Sequence, residues 1–270
     1  MDITHNLSAN DCIAGRAEKE NESRPLCSII TAAYNCEETI GKTIDSVLQQ
    51  TEKNWELIVI DDGSTDRTPT ILAEYAQKDS RIRFLQNESN QGVAETRNRG
   101  LDASRGSYIA FLDGDDWWQP EKLKKQIAFM RENCCHISCT GYYRVDFEGN
   151  HTLGTKVPPE RMTLQDLYRK NDIGFSTSMV ESSLAKTARF QSHELLEDFL
   201  YWLDLLKNGQ EALSLSEPLV FYRAAPHSRS SNKLKMASAR WKTLRRKLNL
   251  PLRKAVPYFL YYAYASIRKR

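Results

Sequence analysis

Short apolar runs that alternate with helix-periodic segments constrain this chain more than any other feature of its sequence. Residues 26–33 form an apolar run of strand length, and Ile40, Ile44, Val47 and Leu48 then recur at the spacing of one helix face. The alternation continues through the first half of the chain. It predicts a largely parallel sheet with right-handed crossovers, and such sheets bind ligands at the carboxyl ends of their strands.

The periodicity therefore predicts an α/β fold with a mostly parallel, Rossmann-like sheet flanked by helices. The predicted strands cover residues 26–33, 56–60, 82–85, 108–112, 137–145, 175–180 and 219–222. The predicted helices begin near residues 40, 65 and 93, follow Pro120, and cover about residues 195–207.

Composition divides the chain into three parts. Residues 1–24 are polar and aperiodic, which predicts a flexible N-terminal arm. Residues 25–232 form the predicted α/β domain. Residues 233–270 are basic and include the aromatic run 255–267, so we expect a helical, amphipathic C-terminal tail.

Cysteine usage indicates a reducing compartment. The six cysteines show no C-x-x-C spacing, and no apolar leader follows the N-terminus, so we expect reduced thiols in a cytoplasmic protein. The alternative is a zinc site around Cys134, Cys135, His136 and Cys139. Their spacing does not present four ligands tetrahedrally, which favours buried thiols.

Charge is distributed unevenly along the chain. None of the 35 acidic residues lies beyond Glu217, whereas fourteen of the 38 basic residues do. The tail rather than the body should therefore seek an anionic partner. The run 255–267 is too short to span a bilayer, which predicts peripheral contact with an anionic membrane surface; the alternative is that the aromatic run packs on the domain.

Two acidic motifs follow predicted strands. The D-D-G-S sequence at residues 61–64 would place a carboxylate where it can accept a hydrogen bond from a nucleobase, although a D-G-S turn alone is usually structural. The D-G-D-D sequence at residues 113–116 packs three carboxylates together, and a divalent cation such as Mg²⁺ or Mn²⁺ would relieve their repulsion. A solvated turn is the alternative for the second motif.

Glycine-rich phosphate loops are missing from the sequence, which disfavours dinucleotide oxidoreductases and P-loop enzymes. A sheet that binds a diphosphate without such loops needs a metal ion and arginine. Arg97 and Arg99 are the candidates, and each is equally consistent with helix solubility or a buried ion pair. The Glu197-Asp198 pair opens a predicted helix, where acidic residues can simply favour the helix dipole.

Five segments occur in a fixed order along the chain: residues 27–35, 61–66, 90–100 and 111–116, and the Glu197-Asp198 pair with Trp202. Together they resemble glycosyltransferase family 2, whose fold is the GT-A type. The resemblance spans about residues 26–232 and implies an inverting enzyme that uses a nucleoside-diphosphate sugar, preferably a UDP-sugar, with Mn²⁺ or Mg²⁺. GDP- and dTDP-sugars remain alternatives.

The resemblance also implies roles for single residues. Tyr34 would stack on the base and Asp62 would bind it. The D-G-D-D segment would hold ribose, metal and diphosphate, with Asp113 and Asp115 toward the nucleotide sugar and Asp115 and Asp116 toward the metal.

Two further roles concern catalysis and the C-terminal half. Asp198 would be the catalytic base, and His227 lies where relatives have a loop that can supply a metal ligand. An exposed histidine without such a role is equally consistent with the sequence. The acceptor would be a glycan or a lipid-linked glycan in surface polysaccharide synthesis, reached from the inner face of the membrane.

Three other classes of protein compete with this interpretation. A metal-dependent nucleotidyltransferase would use similar aspartates but release pyrophosphate, and a noncatalytic sugar- or lipid-binding module could retain the fold. A nucleic-acid partner fits poorly, because the basic tail carries an aromatic run and no recognised nucleic-acid motif.

Overall fold

A computed structural model describes residues 25–192, 195–224 and 232–268, and the predicted N-terminal arm lies outside these ranges. The strands are β1 (Cys27–Ala33), β2 (Trp55–Asp61), β3 (Ile82–Gln86), β4 (Tyr108–Phe111), β5 (Trp117–Trp118), β6 (Ile137–Val145), β7 (Thr152–Lys156), β8 (Arg161–Met162), β9 (Met179–Glu181) and β10 (Ala212–Arg223). The α-helices are α1 (Ile40–Leu48), α2 (Thr68–Lys78), α3 (Val93–Ala103), α4 (Lys122–Glu132), α5 (Leu164–Arg169), α6 (Ser182–Ala185), α7 (Glu197–Leu205), α8 (Lys233–Lys242) and α9 (Leu252–Arg268).

One sheet organises the described chain, in the order β3-β2-β1-β4-β9-β6-β10-β5. β1 to β4 are mutually parallel, β9 runs antiparallel between β4 and β6, and β6 pairs in parallel with β10. β7 and β8 attach to β6 and β10. The predicted α/β class with a mostly parallel sheet and flanking helices is confirmed.

The core consists of two layers, one on each face of the sheet. On one face, Ile30 and Ile58 pack with side chains of α3 and α7. On the other, Ile29 and Leu57 pack with side chains of α1, α2 and α4. Neighbouring residues of a strand point to opposite faces, and β1 and β2 are largely apolar because both of their faces are buried.

Three predicted elements differ from the structure. The helix expected near residue 65 begins at Thr68, because Asp66 accepts hydrogen bonds from the backbone N–H groups of Thr68 (2.9 Å) and Glu37 (3.1 Å) ahead of the helix. The strand expected at residues 175–180 is a 3₁₀ turn followed by β9. β10 begins well before residue 219, and Pro218 lies within it at a shift in register, where a strand tolerates a missing N–H.

The tail packs against the domain with one of its faces. The buried guanidinium of Arg240 donates to the backbone oxygen of Tyr168 (3.1 Å) and lies 3.8 Å from the ring centroid of Phe199. Leu244 and Ala255 are fully buried. The tail is helical, as predicted, and no helix within the described ranges is long and apolar enough to cross a bilayer.

Candidate active site

The A-Y-N segment after β1 is tied to the D-G-S-T turn after β2. Asn35 adopts a positive φ of 46°; its N–H donates to Ser64 Oγ at 2.8 Å, and its Oδ1 accepts from the N–H of Thr65 at 2.8 Å. Tyr34 beside it is 49% exposed. The two strand ends therefore present an accessible aromatic ring at the carboxyl edge of the sheet.

Asp62 is buried, and its carboxylate accepts hydrogen bonds from the loop that leads into α3. One carboxylate oxygen accepts from Asn87 Nδ2 and from the N–H of Gln91, both at 2.8 Å, and the other accepts from the N–H of Gly92 at 2.9 Å. The second oxygen has a remaining lone pair for a further donor. The predicted base-binding role of Asp62 stays a prediction, and the carboxylate has a structural role beside it.

The turn itself requires a glycine. Gly63 has a φ of 74°, and a Cβ at this position would lie 2.9 Å from the backbone N of Asn90. The D-G-S turn and the loop before α3 thus approach each other more closely than a side chain would allow.

Asp116 is enclosed by protein donors. It is 1% exposed; its Oδ2 accepts from Ser176 Oγ at 2.5 Å, and its Oδ1 accepts from the N–H of Arg223 at 2.9 Å. Burial and the neighbouring Asp115 and Asp113 raise the pKa of Asp116 well above its ordinary value. This side chain fixes the D-G-D-D loop to the 3₁₀ turn and to β10.

Asp115 and Asp113 are the more accessible carboxylates of the loop. Burial, and then the charge of Asp113, raise the pKa of Asp115 to about 6. The Asp113 side chain is 31% exposed, and its backbone N–H donates to Ser176 Oγ at 3.1 Å. Two adjacent carboxylates with this repulsion fit a hard divalent cation, which commonly takes one or two protein carboxylates and completes its coordination with substrate phosphates.

No preassembled group of three metal-binding side chains occurs in the part of the chain that the structure describes. His227, the predicted third ligand, lies outside the described residues. The described cysteines, at positions 27, 36, 134, 135 and 139, are not joined in disulfides, and burial raises the pKa of Cys27 to about 12.

Arg97 connects the D-G-D-D loop to the E-D element. Its Nη2 lies 2.8 Å from Asp113 Oδ1, and its Nη1 lies 3.2 Å from Glu197 Oε1. The guanidinium is 3.5 Å from the ring centroid of Phe175, and the whole residue is 4% exposed. A planar guanidinium suits this position because it can pair with two carboxylates while resting on an aromatic face.

Asp198 lies in the first turn of α7, next to Glu197. Burial, and secondly the charge of Glu197, raise the pKa of Asp198, while Arg97 acts in the opposite direction. The Asp198 side chain is half-buried, in contrast to Glu197, which is 2% exposed. The structure thus separates the pair into an inward carboxylate that binds arginine and a more accessible one with raised proton affinity, as a general base requires.

Two residues that hold the site together, Arg223 and Ser176, carry no recognisable sequence signal. Arg223 donates from Nε to the backbone oxygen of Asp115 at 2.8 Å and also contacts the backbone oxygen of Phe147. Ser176 contacts both Asp113 and Asp116. No local pattern marks them, because the contacts of Ser176 and Arg223 with Asp116 span 60 and 107 residues.

Solved structures with the same architecture identify the fold. TarS from S. aureus in complex with UDP-GlcNAc superposes with a TM-score of 0.68 at 23% identity, covering 88% of this chain and 70% of that one. A mannosyltransferase from Pyrobaculum calidifontis, in complex with GDP-Man and Mn²⁺, gives 0.68 at 14% identity, covering 89% and 70%. The fold is that of GT-A glycosyltransferases.

Sequence comparison then defines the family. The model of glycosyl transferase family 2 matches residues 28–191. The putative teichuronic acid biosynthesis glycosyltransferase TuaG of Bacillus subtilis is 38% identical over 247 residues, covering 92% of this chain and 98% of that protein. WfgD of Escherichia coli, a UDP-Glc:α-D-GlcNAc-diphosphoundecaprenol β-1,3-glucosyltransferase, is 37% identical over 246 residues, covering 90% and 94%. This chain belongs to glycosyltransferase family 2 and is a glycosyltransferase.

Proposed function

We propose that this glycosyltransferase moves a hexosyl group from a UDP-sugar to a hydroxyl of a lipid-linked glycan, with inversion of the anomeric centre. The observation that carries the proposal is the position of Asp198, a half-buried carboxylate of raised pKa, beside the pair that Arg97 forms with Asp113 and Glu197. Arg97 would thereby hold the proposed base close to the D-G-D-D loop, which we propose binds the diphosphate. Similarity to WfgD supports the choice of donor and acceptor class.

Inversion needs a single proton acceptor. The acceptor hydroxyl attacks the anomeric carbon opposite the departing diphosphate, and Asp198 takes the hydroxyl proton as the new bond forms. Because the ionised form of Asp198 is disfavoured by burial and by Glu197, it is a stronger base than an ordinary aspartate. Arg97 pairs with both Asp113 and Glu197, and these two ion pairs would hold the base and the donor site at a defined distance from each other.

Nucleotide recognition is assigned to the edge formed by β1 and β2. The exposed ring of Tyr34 offers a stacking face for the base, and Asp62 would accept from a base N–H with its remaining lone pair. The Asn35 contacts fix the distance between the two segments.

Asp115 is the principal candidate for a metal ligand, with Asp113 toward the ribose and diphosphate. A bound Mn²⁺ or Mg²⁺ would neutralise charge on the leaving diphosphate. Asp116 is assigned mainly to the support of the loop, because both of its oxygens already accept protein hydrogen bonds. A further ligand from His227 stays a prediction.

The cellular setting is part of the same proposal. The name of TuaG refers to teichuronic acid biosynthesis, and the name of WfgD specifies a diphosphoundecaprenol-linked acceptor. We therefore assign this chain to surface polysaccharide synthesis at the cytoplasmic face of the membrane, with peripheral attachment.

The test is a product assay with purified full-length protein, UDP-glucose or UDP-GlcNAc, Mn²⁺, and a GlcNAc-diphospholipid with a short alkyl chain. Transfer should release UDP together with an elongated acceptor. Release of pyrophosphate would instead identify a nucleotidyltransferase. Saturable donor binding without turnover on any acceptor of this class would identify a noncatalytic module.

A further inference from the structure

An apolar stripe runs along the outward face of α9. Leu252, Val256, Leu260 and Tyr264 follow each other at intervals of four residues and are 57%, 40%, 61% and 55% exposed. Residues four apart lie on one face of a helix, so these four side chains form a continuous ridge. Isolated exposed apolar residues are ordinary on protein surfaces, whereas a periodic row of large ones marks an interaction surface.

The stripe continues into a groove between α9 and α8. The groove is open, has a volume of about 430 Å³ and is almost entirely apolar. Leu234, at the start of α8, is 85% exposed. The lining residues are Ala237, Ser238, Trp241, Val256, Phe259 and Leu260.

Exposed cations lie on the same two helices and on the segment between them, and no acidic residue follows Glu217 in the sequence. On α8 and the turn after it, Lys235, Lys242 and Arg246 are exposed, and Arg253 and Lys254 are exposed at the start of α9. A surface that combines an apolar ridge, an apolar groove and exposed cations is complementary to an anionic lipid surface, whose headgroups attract the cations while its acyl region takes up the ridge.

The opposite faces of the two helices fix them to the catalytic half. Arg240 lies 3.8 Å from the ring centroid of Phe199, and Phe199 directly follows Asp198 in α7. Tyr258 contacts Tyr168 with ring centroids 5.5 Å apart. The outward surface therefore has a fixed position relative to the proposed catalytic base.

We propose that the α8–α9 surface docks the enzyme on an anionic lipid bilayer, with α9 lying in the plane of the interface. This inference extends the proposed lipid-linked acceptor, since docking would hold Asp198 at a constant height above the membrane. The described 17 residues of α9 have a length of about 26 Å at 1.5 Å per residue. In the proposed orientation, the helix axis lies parallel to the bilayer surface.

Point substitutions test the inference better than truncation at residue 232, because removal of the tail would uncover the contacts of Arg240 and Leu244. The double variant Val256→Asn, Leu260→Asn changes only exposed positions of the stripe. Co-sedimentation of the full-length protein with vesicles of 70% phosphatidylcholine and 30% phosphatidylglycerol is the readout. We expect the double variant to bind about tenfold more weakly than the wild type.

Matched variants separate specific from general effects. Leu153→Asn removes a leucine that is 56% exposed on β7 and should bind as the wild type does. Arg253→Glu should weaken binding at least about fivefold, whereas Lys124→Glu on α4 should change it little. Wild-type binding should also decrease as salt screens the cations.

Several results would overturn the inference. Equal vesicle binding of the wild type and the double variant would exclude the stripe as the docking surface. Equal binding of the wild type to vesicles of pure phosphatidylcholine and to the anionic vesicles would exclude a role of charge. A dimer in solution that Leu260→Asn converts to a monomer, without vesicle binding, would assign the surface to a second copy of the chain. Turnover on the short-chain acceptor should persist in the double variant, so a failure of transfer and a failure of docking remain distinguishable.

Discussion

The Arg97 guanidinium donates to Glu197 Oε1 at 3.2 Å across 100 residues of sequence, and both side chains are nearly excluded from solvent. This pair joins α3 to the first turn of α7. The same guanidinium also pairs with Asp113, so one side chain links the D-G-D-D loop to the E-D element. We therefore propose that Arg97 positions the loop relative to the proposed base.

Replacement of Arg97 should destabilise the fold as well as the site. Arg97→Met preserves much of the side-chain volume but breaks the buried ion pair with Glu197, which typically costs about 3–5 kcal/mol. Urea denaturation followed by circular dichroism measures the change. Arg99→Met, at an exposed position of the same helix, should cost about 1 kcal/mol or less. Equal decreases in the free energy of unfolding of the two variants would show that the buried ion pair does not stabilise the fold more than the exposed arginine does.

Asp198→Asn should abolish most turnover while preserving the shape of the site. Removal of a general base commonly lowers rate by about 10² to 10⁴. Donor affinity measured by calorimetry should remain near the wild-type value, and Asp204→Asn at the other end of α7 should retain activity. Loss of donor affinity with turnover largely kept would make Asp198 a binding residue.

The pH dependence of turnover follows from the raised pKa of Asp198. A base must be ionised, so activity should fall as pH decreases through a pKa above the ordinary aspartate value of about 3.9. Glu197→Gln removes the neighbouring negative charge and should move this acid limb of the kcat profile to lower pH. An acid limb that does not move in this variant would assign the titration to another group.

Asp115 and Asp116 should respond differently to the same chemical change. Asp115→Asn should weaken binding of the UDP-sugar in Mn²⁺ with little change in stability, and EDTA should suppress wild-type transfer. The assay is calorimetric titration with Mn²⁺ present and absent. Full transferase activity in EDTA would contradict a metal requirement.

Asp116→Asn should instead lower the free energy of unfolding. The new amide N–H₂ would face either the N–H of Arg223 or the hydroxyl of Ser176, so one buried donor would lose its acceptor at a cost of about 1–3 kcal/mol. Thermal and urea denaturation measure this effect. Unchanged stability combined with lost metal dependence would show that Asp116 acts mainly as a ligand.

Local periodicity was sufficient to predict the half of the fold that contains β1 to β4. The start of α3 and both ends of β6 match the predicted positions, because burial on defined faces determines the sequence pattern there. The two-residue strand β5 was missed, since its tryptophans carry no strand periodicity. Residues 175–177 were expected in a strand but form a 3₁₀ turn, in which Thr177 Oγ1 donates to the backbone oxygen of Gly174.

The site was predicted as a set of motifs, and its geometry was not. The D-G-D-D sequence indicates a loop at a strand end, but which aspartate faces inward depends on Ser176 and Arg223, which are distant in sequence. For the tail, the sequence predicts contact with a membrane surface and leaves packing on the domain as the alternative. The structure assigns one face of α9 to packing and leaves the other exposed, which the composition of the run could not distinguish.

The anomeric configuration of the transferred sugar tests the proposed chemistry most directly. With UDP-α-glucose and the short-chain GlcNAc-diphospholipid, proton NMR of the product should show a β-linked glucosyl residue, because a single attack assisted by Asp198 inverts the donor's α configuration. An α-linked product would require retention and would contradict the mechanism with Asp198 as the sole base.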